Sequence, residues 1–158
     1  MRAFQEPDIA GVVAMYADED FSRFITFDGK PYGRENSWRS MSNIMGHWAL
    51  RGYGMWAVVE TASNDLVGFA GPHFPEGWPA KEVGWAIGKD YWGKGYATEA
   101  AQAAMDYART ALKWPHVIHV INPLNTRSIT VAERLGSARE GQWIRDGKEL
   151  WLYGQDLK

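Results

Sequence analysis

The stretch Trp92-Gly93-Lys94-Gly95-Tyr96-Ala97-Thr98-Glu99-Ala100 decides the fold. Just before it, Glu82-Val83-Gly84-Trp85-Ala86-Ile87 reads as a strand, and just after it residues 98–112 are rich in Ala, the strongest helix former. A strand ends, a glycine-bearing turn follows, and a helix begins at once. The first turn of a helix carries unpaired N–H groups and a partial positive charge, which makes it an anion site. Small residues at Gly93, Gly95 and Ala97 would let a bulky anion such as a pyrophosphate reach those donors. The plainer alternative is a tight turn that merely needs glycine.

Three phosphate-binding patterns compete for this segment. Gly88-Lys89-Asp90-Tyr91-Trp92-Gly93-Lys94 fits the first seven positions of the nucleotide-triphosphatase P-loop, but Gly95 stands where a magnesium-holding Ser or Thr is required. A dinucleotide fold wants a third glycine after Gly93 and Gly95 and places the turn after the first strand, and this segment satisfies neither condition. The third pattern depends on the rest of the chain.

Toward the N-terminus, Met1 to Phe4 read as the end of a strand, and Ile9, Val12, Val13 and Tyr16 recur at helical spacing over 7–17. A polar stretch at 28–33 precedes a second helix over 34–50, with Trp38, Met41, Ile44, Met45 and Trp48 on one face. A hairpin follows, 55–60 and 66–70, turning at Ser63-Asn64-Asp65. Gly71, Pro72, Pro75, Gly77 and Pro79 mark 71–80 as a loop. Toward the C-terminus, Pro115 stops the Ala-rich helix, 117–121 is a strand, and a short helix over 125–135 ends at Gly136. Asp146-Gly147 turns a final hairpin. The order βααβββαβαββ, without repeat or linker, describes one mixed α/β (α+β) domain over 1–158.

Composition narrows the function. A chain of 158 residues buries about 69 % of its unfolded surface, enough for a core without staples. Zero cysteine excludes disulfides, thiolate nucleophiles and sulfur-ligated metals, and fits a reducing cytoplasm. A net charge of −2 with scattered Lys and Arg argues against nucleic acid. No apolar run reaches the length of a membrane span, and the expected location is cytoplasmic. Nine Trp suggest either a bulky core or a cleft walled by rings.

Glu82-Val83-Gly84-Trp85, the turn at 92–100, Asn122-Pro123, Asn125, Ser128 and Ala132-Glu133-Arg134-Leu135-Gly136 together resemble the GNAT superfamily of N-acetyltransferases, in particular its RimJ/RimL-like branch of ribosomal-protein alanine N-acetyltransferases. The resemblance implies a mostly antiparallel twisted sheet, with one splayed parallel pair (82–88 and 117–121) and helices on both faces. It also implies that acetyl-CoA, the acetyl donor, lies in that splay with no metal. Trp85, Ala86, Ile87, Trp92, Gly93, Lys94, Gly95, Tyr96, Ala97, Thr98, Asn125 and Ser128 are then the expected cofactor contacts. Trp92 departs from the Gln or Arg that opens the family's pyrophosphate signature; Lys94, Lys89 and Arg127 are candidates for the remaining phosphate charge.

The resemblance further implies a main-chain oxyanion donor within 85–87, Glu82 as the base that frees the amine, and a hydroxyl near the cofactor sulfur. Many members carry a Tyr for this last role, aligned here with Ala132, and Ser128 is the substitute. A water chain is the alternative to Glu82, whose plainer role is a surface carboxylate at a strand start; His73 and His119 are lesser candidates. The acceptor, a protein N-terminus or a small-molecule amine, is expected between 28–54 and 71–80, near Trp38, Trp48, Tyr53, Phe74 and Trp78. A homodimer is left open. Two other functions remain: a non-catalytic acyl-CoA-binding domain, and an aromatic-walled module without cofactor.

Overall fold

The structure, a computed structural model, describes all 158 residues. A 3₁₀ turn at Glu6–Asp8 leads into α1 (Ile9–Ala17), followed by α2 (Glu19–Ile25) and α3 (Arg34–Arg51). Strands β1 (Trp56–Val59), β2 (Leu66–His73) and β3 (Glu82–Ile87) form a meander. A second 3₁₀ turn, Lys89–Tyr91, precedes α4 (Tyr96–Thr110) and β4 (His116–Ile121). Helix α5 (Thr126–Arg134) and the hairpin of β5 (Ala138–Arg145) and β6 (Lys148–Asp156) complete the chain. The six strands lie in the order β1-β2-β3-β4-β6-β5, antiparallel except for β3 and β4.

Each face of the sheet has its own core. On one, Val12, Met15, Tyr16, Phe21 and Met41 from the first three helices cover Ala57, Phe69 and Ala86. On the other, Ala101, Ala104, Met105 and Ala108 of α4 and nearby Leu135 cover Val83 and Val117. The alanine-rich face of α4 lets that helix lie close against the strands, which fixes where its N-terminus points.

Three expectations are corrected. The first strand shrinks to one bridge, Arg2 to Ala57, because Pro7 and the bidentate pairing of Arg2 with Asp8 (both contacts 2.7 Å) turn the chain into a helix. Helix α2 falls in a stretch that periodicity leaves unassigned; its start is capped by Asp18, whose Oδ1 accepts the Phe21 N–H at 2.8 Å. Strand β2 runs on through Gly71, Pro72 and His73, so His73 ends a strand instead of lying in a loop. Pro72 is tolerated because β1 pairs with β2 only as far as Ala70, leaving that edge without need of its missing N–H.

Candidate active site

The site begins where two parallel strands part. β3 and β4 pair at one point, Glu82 with Ile118, where the Ile118 N–H donates to the Lys81 carbonyl at 2.9 Å. The Gly88 N–H donates to the Val67 carbonyl of β2 at 2.8 Å. Alternation along a strand therefore turns the main chain of Gly84 and Ala86 toward β2 and that of Val83, Trp85 and Ile87 toward β4. The Trp85 and Ile87 amides face the wedge without a strand partner. Ala86, within the stretch expected to supply the oxyanion donor, spends its amide in the sheet opposite Phe69.

Side chains replace the lost ladder bonds at the vertex, reciprocally. From β3, Glu82 Oε1 accepts the Val120 N–H at 2.9 Å. From β4, His119 Nδ1 lies 2.6 Å from the Val83 carbonyl. A carbonyl only accepts, so Nδ1 carries the proton; burial holds the imidazole neutral, its pKa lowered to about 4. His119 Nε2 is therefore the acceptor for the Ser137 hydroxyl at 3.0 Å, and Ser137 in turn accepts from Gln155 Nε2 at 2.7 Å. The imidazole has both nitrogens committed and is 1 % exposed, which makes it a strut and removes it as a base.

Glu82 is 6 % exposed, not a surface carboxylate. Its Oε2 accepts the Trp78 indole N–H at 2.6 Å. Burial pushes the carboxyl up to about 7, against the opposing pull of the Val120 and Trp78 hydrogen bonds. A carboxylate that exchanges its proton near neutrality is suited to general-base work.

The wedge opens into a cleft of about 300 Å³. Trp85, Ala86, Ile87, Trp92, Gly93, Gly95, Tyr96, Ala97, Asn125 and Ser128, all expected contacts, line it. Gly95, at φ +89°, is the N-cap of α4 and no side chain caps that helix, while Gly93 has φ +76°. A Cβ at either glycine would meet nothing within 4 Å, so the turn borders open space. The first intrahelical bond is Glu99 N–H to Gly95 O, which leaves the Tyr96, Ala97 and Thr98 amides free of intrahelical acceptors. Free donors at an uncapped helix start beside open space can take an anion.

Lys94 and Thr98 do not line the cleft. Lys94 rests 5.1 Å from the centre of the Tyr91 ring, and Lys89 is bound to Asp20 at 2.6 Å. Arg127 and Arg134 are the cations of the cleft wall, and the Arg127 guanidinium lies 3.7 Å from the Trp92 ring centre. The Trp92 indole donates to the Ile87 carbonyl at 2.6 Å, so this residue fixes the wall and carries Arg127 on its face. Tyr96 donates its hydroxyl to Glu60, whose carboxylate raises the phenol pKa to about 12. Asn125 caps α5 through the Ser128 N–H at 3.2 Å.

A smaller cavity adjoins the cleft and holds Glu82, His119 and Asn122; Phe24, Ile25, Trp85, Asn125 and Ser128 border both spaces. Ser128 and Glu82 thus border the same smaller cavity. Ala132 is wholly buried beside Ile121 and Tyr153 and does not line the cleft. The α2 wall, Phe21, Phe24 and Ile25, escaped the sequence reading; the Asp18 cap was the signal for it. Of the expected acceptor residues, Trp78 adjoins Glu82. Trp38 is 57 % exposed, Trp48 donates to the Met55 carbonyl, and Tyr53 packs on Trp114.

Residues 1–138 match the family model described as an acetyltransferase (GNAT) domain. The chain belongs to the GNAT acetyltransferase family. An acetyltransferase from Agrobacterium tumefaciens str. C58 has the same fold at a TM-score of 0.84 and 27 % identity, covering 98 % of this chain and 88 % of that one. The YkkB protein of Bacillus subtilis (strain 168) is 33 % identical over 90 residues, 54 % of this chain and 52 % of YkkB, so the match spans about half of that relative. The N-acetyltransferase p20 of Bacillus licheniformis is 25 % identical over 139 residues, 86 % of this chain and 77 % of p20. The spermidine N(1)-acetyltransferase of Escherichia coli (strain K12) is 35 % identical over 69 residues, 44 % of this chain and 36 % of that enzyme. RimL, a ribosomal L7/L12 α-N-protein acetyltransferase solved with coenzyme A, shares the fold at a TM-score of 0.79 and 16 % identity, covering 99 % of this chain and 92 % of RimL. The Agrobacterium acetyltransferase structure stands nearer than RimL in both measures, so the RimJ/RimL branch is not singled out.

Proposed function

We propose that this GNAT domain is an acetyl-CoA-dependent N-acetyltransferase that acts on a primary amine by direct attack in a ternary complex. The observation that carries the proposal is the wedge itself: a single parallel bridge, with the uncapped start of α4 at the mouth and Glu82 at the vertex. No helix is long and apolar enough to cross a membrane, and no group of three His, Asp or Glu is placed to hold a metal.

When bound, acetyl-CoA supplies an activated thioester: the N–C bond forms as the C–S bond breaks, the amine gives up a proton and the thiolate gains one. The Tyr96, Ala97 and Thr98 amides with Arg127 would hold the diphosphate. The free amides of Trp85 and Ile87 face the wedge, where a developing oxyanion needs a donor. Glu82 takes the amine's proton, directly or through water. Ser128, whose hydroxyl is not used in capping α5, lies at the junction of the two cavities and is placed to return a proton to sulfur. A RimJ/RimL-like reading is supported by this use of Ser128 in place of a tyrosine, together with the motifs over 82–136.

The second reading, a non-catalytic acyl-CoA-binding domain, rests on Ala132, which offers no hydroxyl. Calorimetry with acetyl-CoA, followed by a free-thiol assay across amines and peptides, separates the two. Binding plus amine-dependent thiol release is expected. Binding without release would leave the binding-domain reading, and no binding would overturn both.

A further inference from the structure

Beside Glu82 stands a cationic and aromatic cluster. The Trp78 and Trp143 rings meet edge-on, their centres 5.2 Å apart, and the Arg145 guanidinium carbon lies 4.9 Å from Trp78 and 5.5 Å from Trp143. Since Trp78 also donates to Glu82, Arg145 stands one indole away from the carboxyl at the vertex. The only carboxylate within ion-pair reach of Arg145 is its neighbour Asp146, 3.5 Å from Nε and 55 % exposed, so its terminal amino groups have no acid partner. Of the nearby imidazoles, His73 is held neutral at physiological pH, lowered to about 4 by burial, then by His47 and Arg145.

The acids at this end are already engaged. Glu76 pairs with Arg51, and Glu149 accepts the Trp151 indole N–H and stands 3.8 Å from Arg139. Lys148 donates to the Phe27 carbonyl at 2.7 Å and has no ion-pair partner. A polycation entering here would find aromatic faces occupied by cations and no free carboxylate. An acceptor carrying a carboxylate would find a guanidinium with donors to spare, resting against two rings that restrict its motion.

We propose that Arg145 selects the acceptor by binding a carboxylate that the acceptor amine itself carries, so that this domain acetylates acidic amines in preference to polyamines. The proposal rests on the acetyltransferase reading and adds the substrate class. Free amino acids and N-termini followed by an acidic side chain share this chemistry.

The test uses the whole chain and pairs of acceptors that differ only in charge: ω-amino acids of increasing length against their amides, and short peptides with Asp or Asn at the second position, with spermidine as the polycation. Rates are compared per unit of free amine. The acid of a pair is expected to be used about tenfold better than its amide, the worth of one charge-assisted contact. In Arg145→Gln that gap should close through KM with kcat retained, and Arg145→Glu should gain spermidine activity. The length series and the peptides tell a small acceptor from a chain terminus. Equal use of acid and amide, a preference that survives Arg145→Gln, or spermidine as the best substrate would overturn the proposal. A second readout needs no turnover: N-acetylated ω-amino acids should shift the indole N–H resonances of Trp78 and Trp143 in the wild type and not in Arg145→Gln. If no amine is acetylated, the acetyltransferase reading fails, and this binding arm alone decides Arg145.

Discussion

Glu82 concentrates the chemistry at the residue scale, because one carboxyl both closes the vertex and titrates near neutrality. If Glu82 acts as the proposed base, the kcat/KM profile should rise as pH climbs through about 7, where its carboxyl loses its proton. In Glu82→Gln that limb should vanish and the rate should drop by roughly 10²–10⁴ near pH 7, the range for losing a general base. The deficit should shrink toward pH 10, where the amine is free without help. An unchanged profile would remove Glu82 from proton transfer and leave it a strut. Gly95 tests the other end of the wedge. Because its φ is +89°, any side chain there is strained, so Gly95→Glu must be read against Gly95→Ala. Loss of acetyl-CoA binding in the Glu variant, well beyond the loss in the Ala variant, would place the diphosphate at this turn; equal losses would mean backbone strain alone. Ser128→Ala should slow turnover with cofactor affinity held within several-fold, measured by thiol release and calorimetry.

Among the elements, the wedge is the feature whose cause lies in side chains of both strands. Trading ladder bonds for Glu82–Val120 and His119–Val83 contacts lets β3 and β4 diverge without orphaning buried polar groups at the vertex. His119→Ala leaves the Val83 carbonyl and the Ser137 hydroxyl short of partners and opens a cavity. It should cost about 3 kcal/mol, a melting temperature roughly 6–12 °C lower. A shift of a degree or two would show that the strands hold their splay without the strut. The sequence carried most of the fold, because the turn at 92–100, the Ala-rich helix and the final hairpin are set by local chemistry. The turn side of the cleft was legible for the same reason, whereas Trp85, Asn125 and Ser128 were expected there only through the family resemblance. Hidden from it were α2, too short at seven residues to show a period, and the extension of β2 through Gly71 and Pro72, permitted by a missing neighbour. The burial of Glu82 was hidden too: Trp78 and Val120 close over it from a loop and another strand, contacts that no local pattern encodes.

For the whole molecule, the same buried groups set how stability responds to acidity. His73 and His119 both fall to about 4 in the fold from an ordinary 6.5. Between those values the unfolded chain binds protons that the native one refuses, so both groups make stability rise with pH and complete their contribution near 6.5. Glu82 works the opposite way. Its native pKa of about 7 lies above the ordinary 4.5, so the fold keeps a proton that the unfolded chain has shed, and stability falls as pH climbs through that window. Each shift of this size corresponds to about 3 kcal/mol at full effect. Two rising contributions against one falling one predict a melting temperature that climbs from pH 4 to about 6.5 and then declines slightly as Glu82 finishes ionising. Glu82→Gln should keep the climb and shrink the decline to the part that His116 adds, since the Asp156 and Glu140 carboxylates outweigh its burial and raise it above 6.5; His119→Ala should flatten the climb by about half. Thermal melts from pH 4 to 8 check both. A wild-type curve with no turn near neutrality would mean that the carboxyl at the vertex ionises as an ordinary one, and its claim to act as the base would fall with that result.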